Sequence, residues 1–382
     1  MPSRLRIGVN ALYLIPGGVG GTEIYLRNLL GALGEIDRRN EYFVYLNRET
    51  GLDLCPRQAN FAPVETDVKA SFRPGRLLWE QLRLPSHTRT DKLDVLFSPG
   101  FTAPLTGSGR RVTVIHDLQH KRQPQNFGRF ELMAWEWCVA QSVKTASTII
   151  TVSESSKNDI IEFYSVPQQN VRVVAHGVED DFFGLKKNET YGPELLTEAG
   201  LPDSPFLLAV STVHPHKNWE RLIDAYEAVA REDADLHLVV CGLPGKSWDE
   251  VKKLIAEKGL GERVHLLGWQ PRKTLIGLFK YAEALVFPST FEGFGMPVLE
   301  ALAAGTPLAC SDIAPLRELA DGCATFFDPY SSDDIAAAIR GLRQDEFQRL
   351  KFITAGLERS KNSTWQRAAQ QTLAIFLEAA QR

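Results

Sequence analysis

Residues 284–307 hold the tightest constraint on this chain. Ala284-Leu285-Val286-Phe287 is a short apolar run ended by Pro288, and it reads as a buried strand. The segment Phe291-Glu292-Gly293-Phe294-Gly295-Met296-Pro297-Val298-Leu299-Glu300 then leads into a helix. Pro297 suits the first helical position and Gly305 the position just past the end. Leu299, Leu302 and Ala303 form its expected buried stripe, and Pro307 prevents continuation. Backbone N–H groups at such a helix start make an anion site. Glu292 in the loop and Glu300 in the expected first turn are out of place in a bare phosphate cradle. They suit a ligand that carries hydroxyls as well as phosphates, which is the chemistry of a sugar nucleotide.

The same alternation runs through the chain. Apolar runs at 6–12, 42–46, 95–97, 112–115, 148–152 and 171–175 predict strands, separated by helical or polar stretches. A second series follows at 206–211, 236–241, 264–267, 285–287, 308–310 and 324–327. Strands alternating with helices predict α/β architecture, with parallel sheets that bind ligands at the carboxyl ends of their strands. The 382 residues exceed one ordinary core. The expected division is an N-terminal Rossmann-like domain over 1–180, a linker over 181–204, a C-terminal Rossmann-like domain over 205–362, and a final helix over 363–382 that returns to the first domain. This final helix is apolar at Ala368, Leu373, Ile375 and Phe376.

Composition excludes several classes of function. A net charge of −4 argues against bulk nucleic-acid binding. The five cysteines form no C-x-x-C pair, so neither disulfides nor structural zinc are expected, and a reducing cytoplasm fits. No apolar run reaches the ~20 residues that span a bilayer, and Met1–Arg6 enters a strand without a signal-peptide core. Membrane contact is therefore expected to be peripheral at most. One stretch suits such contact. Between Lys69 and Arg129 there are eleven Lys/Arg against four acids, with Phe72, Leu77, Leu78, Trp79, Leu82 and Leu84 interleaved among Arg73, Arg76 and Arg83. This reads either as an amphipathic surface for anionic headgroups or a diphosphate-bearing acceptor, with Arg73, Arg76, Trp79 and Arg83 as contacts, or as a solvated helix covering the sheet.

Three further constellations bear on chemistry. Gly17, Gly18, Gly20 and Gly21 sit between the first strand and a helix, but Glu23 occupies the last glycine position of a dinucleotide fingerprint, which excludes that oxidoreductase pattern. Lys217 precedes Asn218, a residue suited to capping the next helix, and so stands where a diphosphate would need neutralising. His116-Asp117-Leu118-Gln119-His120 lacks the glutamate of a zinc-protease helix and follows a strand, so His116 is expected to hydrogen-bond a substrate hydroxyl. Asp233-Ala234-Asp235 precedes its strand, at the edge opposite the ligand crevice, and is expected to serve a turn. No catalytic metal and no cofactor are expected.

Together these residues resemble glycosyltransferase family 4, retaining enzymes of the GT-B fold, over nearly the whole chain. The most specific element is Glu292-x7-Glu300. The Gly17–Gly21 turn, His116-Asp117, Ser153-Glu154, His176-Gly177-Val178 and Pro215–Asn218 follow in the family's order. The resemblance implies two Rossmann-like domains facing across a cleft and transfer of a hexose with retention and without a metal. It assigns His116, Lys217 and Glu292 to the reacting centre. It implies donor binding by Gly20, Gly21, Thr212, Lys217, Gly268, Trp269, Gln270, Glu292, Gly293, Phe294, Gly295, Met296, Pro297 and Glu300. Within that set, Glu300 meets the ribose, Glu292 the sugar hydroxyls, Lys217 the diphosphate and Gly268-Trp269-Gln270 the base. Thr212 stands where many members carry an arginine. Likeness to bacterial polysaccharide mannosyltransferases implies mannose from GDP-mannose and a glycan or polyprenyl-diphosphate-linked acceptor. UDP-glucose, UDP-N-acetylglucosamine, a phosphorylase or epimerase of the same fold, and a non-catalytic sugar-nucleotide-binding subunit are the alternatives.

Overall fold

The structure, a computed structural model, describes residues 4–18, 20–185 and 189–381. Met1–Ser3 of the N-terminal reading and residues 186–188 of the expected linker lie outside these. The chain divides into two compact units: residues 1–177 with 364–382, and residues 178–363.

The first unit is built on β1 (Arg6–Asn10), β2 (Glu41–Leu46), β3 (Phe61–Glu65), β4 (Val95–Ser98), β5 (Arg110–Val114), β6 (Thr148–Thr151) and β7 (Val171–Val173). All are parallel, in the order β3-β2-β1-β4-β5-β6-β7. Its helices are α1 (Gly21–Ile36), α2 (Arg73–Leu82), α3 (Leu84–Thr90), α4 (Gln119–Arg122), α5 (Arg129–Thr145) and α6 (Glu154–Tyr164). β3 escaped the sequence reading because it contains Pro63 and alternates weakly. A strand without one N–H donor is tolerated at a sheet edge, and that is where β3 lies.

The C-terminal helix (Trp365–Gln381) belongs to this unit. Its Phe376 meets Phe97 of β4 edge-on at 5.1 Å, and Glu378 pairs with Arg172 of β7 at 2.6 Å. Burying Phe376 and Ile375 contributes roughly 1.5–3 kcal/mol each, enough to hold a terminal helix that would otherwise fray.

The second unit contains β8 (Phe206–Val210), β9 (His237–Cys241), β10 (Val264–Gly268), β11 (Ala284–Phe287), β12 (Leu308–Ser311) and β13 (Thr325–Phe327), in the order β10-β9-β8-β11-β12-β13. These strands are also parallel. Its helices are α7 (Glu194–Glu198), α8 (Trp219–Ala230), α9 (Trp248–Glu257), α10 (Arg272–Tyr281), α11 (Met296–Ala304), α12 (Ala314–Ala320), α13 (Ser332–Gln344) and α14 (Glu346–Ser360). In both units the strand order reverses beside the first strand, β1 against β4 and β8 against β11. The loops leaving those strands diverge to opposite faces and open a crevice at their carboxyl ends.

Two sequence expectations change here. The described residues of the expected linker, 181–185 and 189–204, fall within the second unit. The Tyr191 carbonyl accepts from Lys280 Nζ (2.7 Å) and Tyr281 OH (3.1 Å), and buried Phe182 meets Phe279 at 5.4 Å. Helix α11 carries no one-sided stripe, since Val298 to Ala304 are all buried. It starts at Met296, so Pro297 is its second residue and Glu300 its fifth, past the first turn.

Candidate active site

The reversal between β8 and β11 brings together two of the residues expected at the reacting centre, Lys217 and Glu292. The loop after β8 supplies Lys217 and the loop after β11 supplies Glu292. Their charged groups meet at 2.5 Å, with 15% and 12% of the side chains exposed. The loops are stitched by Thr290, whose N–H and hydroxyl both donate to the His216 carbonyl, at 2.8 and 3.1 Å. Asn218 departs from its expected role. It stands in the left-handed region and makes no side-chain cap on α8. Its amide instead donates to the carbonyls of Pro288 (3.0 Å) and Pro329 (2.6 Å), tying three loops together.

The turn into α11 depends on one glycine. Gly295 has φ +99°, and a Cβ there would lie 2.5 Å from Leu316 Cδ2. Gly293, Phe294 and Gly295 are buried at this turn, and Met296 and Pro297 begin the helix.

Glu300 is 4% exposed. Its carboxylate accepts from Arg272 Nη2 at 2.7 Å, and Arg272 Nε donates to Glu179 at 2.8 Å. The guanidinium lies over the Phe182 ring, 4.9 Å from its centroid. Desolvation raises the pKa of Glu300 against the opposing pull of Arg272. Burial alone would lower Arg272, but the charges of Glu300 and Glu179 outweigh it and raise its pKa. Sequence reasoning missed Arg272. A signal was present, because a cation as first residue of a helix opposes the macrodipole and needs carboxylates nearby.

Gly268, at φ +67°, ends β10, and its carbonyl accepts from the Gly242 amide at 2.9 Å. Trp269 is 61% exposed, a free ring face at the carboxyl edge of the sheet. Gln270 turns back to the Leu267 carbonyl at 2.8 Å. Thr212 lies on the loop after β8, where its carbonyl accepts from the His214 amide at 2.8 Å. The Asp233 carboxylate accepts from the Asp235 amide (3.0 Å) and pairs with Arg343 at 2.6 Å, so this segment is a turn.

In the first unit, Gly20 (φ +58°) precedes Gly21 at the start of α1. Glu23, the residue that breaks the dinucleotide pattern, accepts from the Gly17 amide at 2.7 Å and pairs with Arg27 at 2.8 Å. An internal carboxylate thus takes an amide that a bound phosphate would otherwise need.

His116 follows β5 and is 6% exposed. Its Nε2 lies 2.9 Å from the Pro99 carbonyl, which fixes the N–H on that nitrogen and leaves Nδ1 as an acceptor. Tyr25, Phe101 and His176 surround the ring at centroid distances of 4.9, 5.3 and 5.8 Å. Desolvation lowers its pKa to about 4, so the ring is uncharged near neutral pH.

The basic stretch of α2 is partly overturned. Arg73 and Arg83 are exposed, and Trp79 is half-buried on His87 at 5.4 Å. Arg76 is only 5% exposed, and Glu80, one helical turn on, is 1% exposed. The helix turns this pair inward because Glu80 is needed there, accepting from Asn10 and Thr102 at 3.0 Å each. The amphipathic surface therefore lacks Arg76.

The sequence matches two family models, Glycosyltransferase Family 4 over residues 19–182 and Glycosyl transferases group 1 over residues 196–359. It is 29% identical over 270 residues to O-antigen chain mannosyltransferase B of Escherichia coli, covering 70% of each chain. It is 26% identical to the MMP alpha-(1->4)-mannosyltransferase of Mycolicibacterium hassiacum, covering 95% of this chain and 96% of that one. Several other curated relatives are matched over less than two thirds of their own length. In fold it resembles the sucrose-phosphate synthase of Thermosynechococcus elongatus, with a TM-score of 0.79 at 17% identity over 98% of this chain and 99% of that one.

Proposed function

The chain belongs to glycosyltransferase family 4, and we propose that it transfers mannose from GDP-mannose, with retention and without a metal, to a glycan or polyprenyl-diphosphate-linked acceptor in cell-surface polysaccharide synthesis. The 2.5 Å contact between Lys217 and Glu292 at the β8/β11 reversal carries this reading. It sets a cation and a hydroxyl-accepting carboxylate side by side, as the junction between a sugar and a diphosphate requires. Relatives named as mannosyltransferases support the choice of sugar.

In this reading Lys217 stabilises the charge that develops on the leaving diphosphate, and Thr212 contributes a hydroxyl there. Glu292 accepts from sugar hydroxyls, beside the turn of Gly293, Phe294 and Gly295. Glu300, held by Arg272, accepts from the ribose, and exposed Trp269 with Gly268 and Gln270 receives the base. The leaving diphosphate takes the proton of the acceptor hydroxyl as the new glycosidic bond forms on the same face. Uncharged His116 serves as a hydrogen-bonding ring rather than a proton donor, and the Gly20-Gly21 turn lets a ligand approach the backbone. Among the described residues no helix is long and apolar enough to cross a membrane, so a lipid-linked acceptor would be met by peripheral contact at the cytoplasmic face.

Thermal-shift measurements with GDP, UDP, GDP-mannose and UDP-glucose test the donor. At 100-fold excess over its dissociation constant the true ligand stabilises by about 2.7 kcal/mol. GDP-mannose should shift the midpoint most, and NMR of the product should show the anomeric configuration of the donor. A larger shift with UDP-glucose, or an inverted product, overturns the respective assignment.

A further inference from the structure

Helix α5 is apolar on two opposite faces. Val139, Ser142 and Val143 are its buried residues, and Trp135 lies on their side, against Phe101 at 5.6 Å. Across the helix, Phe130, Met133 and Trp137 are 89%, 67% and 56% exposed, and Ala134 between them is exposed as well. Positions 130, 133, 134 and 137 follow the i, i+3, i+4, i+7 spacing and so form one stripe. Leu78 and Leu82 of α2, also exposed, widen it, since Leu78 and Trp137 line the same cavity of about 300 Å³. A helix that is apolar all round belongs in an interior. Among the described residues nothing covers this second face.

The stripe is complementary to itself. Phe130 and Trp137 stand equally far from its midpoint, which falls between Met133 and Ala134. An antiparallel second α5 in that register sets Phe130 against Trp137 of the other copy and Met133 against its Ala134. Each contact is then made twice, as an isologous two-fold interface requires. The small Ala134 facing Met133 suits the ~8–10 Å separation of packed helix axes. The cavity beside Trp137 leaves room for the incoming Phe130 ring. Area points the same way. At roughly 150–250 Å² for each aromatic side chain and somewhat less for leucine and methionine, the five large residues present on the order of 500–600 Å². That is the upper end of the ~300–600 Å² expected of the largest patch on a monomer. With its rim of Arg73, Glu131 and Gln141 it approaches the ~800 Å² that each partner brings to a standard interface.

Charge separates this occupant from a bilayer. A helix lying on a membrane carries Lys and Arg along its polar face. Helix α5 has Arg129 and Lys144 near its ends with Glu131 and Glu136 between them, two charges of each sign. We propose that the α2–α5 face of the first unit is the contact between two copies of this chain, with the α5 helices antiparallel about a two-fold axis between Met133 and Ala134. The inference does not depend on the transferase reading.

Sedimentation equilibrium of the full chain across the micromolar range tests it, and the upper end should give twice the chain mass. Phe130→Glu and Trp137→Lys should each weaken association at least tenfold. Both side chains are more than half exposed in the single chain, so neither substitution removes a core contact. Mixed in equal amounts, the two variants should associate more tightly than either alone. In the mixed pair the new carboxylate of one copy meets the new ammonium of the other, and the unaltered Phe130 and Trp137 meet on the second side. A parent chain that stays monomeric overturns the proposal, and flotation of that monomer with phosphatidylglycerol vesicles assigns the face to a bilayer instead. Dimers that persist unweakened in both variants, or a mixture no tighter than its components, overturn it as well.

Discussion

Replacing Arg272 by leucine removes the cation that serves two carboxylates at once. Glu300, 5% exposed at its side chain, would remain buried without its 2.7 Å partner, and Glu179 would lose its 2.8 Å contact. Breaking a buried pair from one side costs 3–5 kcal/mol, and the 29% exposure of Arg272 places the expected loss near the lower end, about 3 kcal/mol for the second unit. The effect should depend on pH with a definite sign. Desolvation already raises Glu300 above its unfolded value, so its folded form binds a proton more readily. Without Arg272 the pKa climbs further. The variant can then escape the penalty by protonating Glu300, at up to 1.36 kcal/mol per pH unit. Urea unfolding between pH 8 and pH 5 should therefore show a stability gap between parent and variant that is largest at pH 8 and narrows towards pH 5. Arg272→Lys should recover part of the gap, since it restores charge without the two-pronged geometry. In the transferase reading proposed above, donor affinity should follow the same course, because a protonated Glu300 has fewer oxygens free to accept from the ribose. A gap that does not change with pH, or donor affinity equal to the parent's, would refute the argument that Arg272 opposes protonation of Glu300.

Two more outcomes are expected from the same geometry. Gly295→Ala combines a left-handed backbone, worth roughly 1–2 kcal/mol, with a Cβ 2.5 Å from Leu316, so it should lower the urea stability of the second unit by about 2–4 kcal/mol. Gly322→Ala, at φ +73° with open space around it, should cost only the backbone part, and equal losses at both sites would contradict the packing account. His116 has a folded pKa of about 4, below its unfolded value, so its contribution is complete above pH 6.5 and is lost as pH falls towards 4. About 3 kcal/mol should go over that window, and His116→Asn should flatten the urea profile of the first unit there; an unchanged slope would refute the assignment.

What the sequence disclosed and what it hid separate along physical lines. The strand 284–287, the turn at Gly295 and the helix ended by Gly305 were legible because each uses a local rule of apolar run or left-handed glycine. The strand β3 was not, since Pro63 and its edge position remove the continuous apolar run that marks interior strands. Burial of Arg76 was hidden because charge patterning assumes that a cation faces water, whereas the inward turn of α2 is decided by Asn10 and Thr102, far away in sequence, through Glu80. Asn218 satisfied a local capping rule and then lost that role to the Pro288 and Pro329 carbonyls, which only tertiary structure brings within reach.

The missing arginine at Thr212 can now be weighed against what surrounds it. The loop after β8 contains three potential cations, His214, His216 and Lys217. Burial first, and the neighbouring Lys217 charge second, lower both histidines, His216 to about 2, so neither is charged near neutral pH. Lys217 is then the residue of that loop that remains cationic. An ammonium has three N–H donors. One serves Glu292 Oε1, which leaves two for phosphate oxygens, and Glu292 keeps its second oxygen for a hydroxyl. The pair thus holds opposite charges side by side, and in the transferase reading proposed above it would face the bond between the sugar and the diphosphate. Thr212 puts a neutral hydroxyl on that loop, so in the transferase reading proposed above the leaving diphosphate would rely on the Lys217 ammonium.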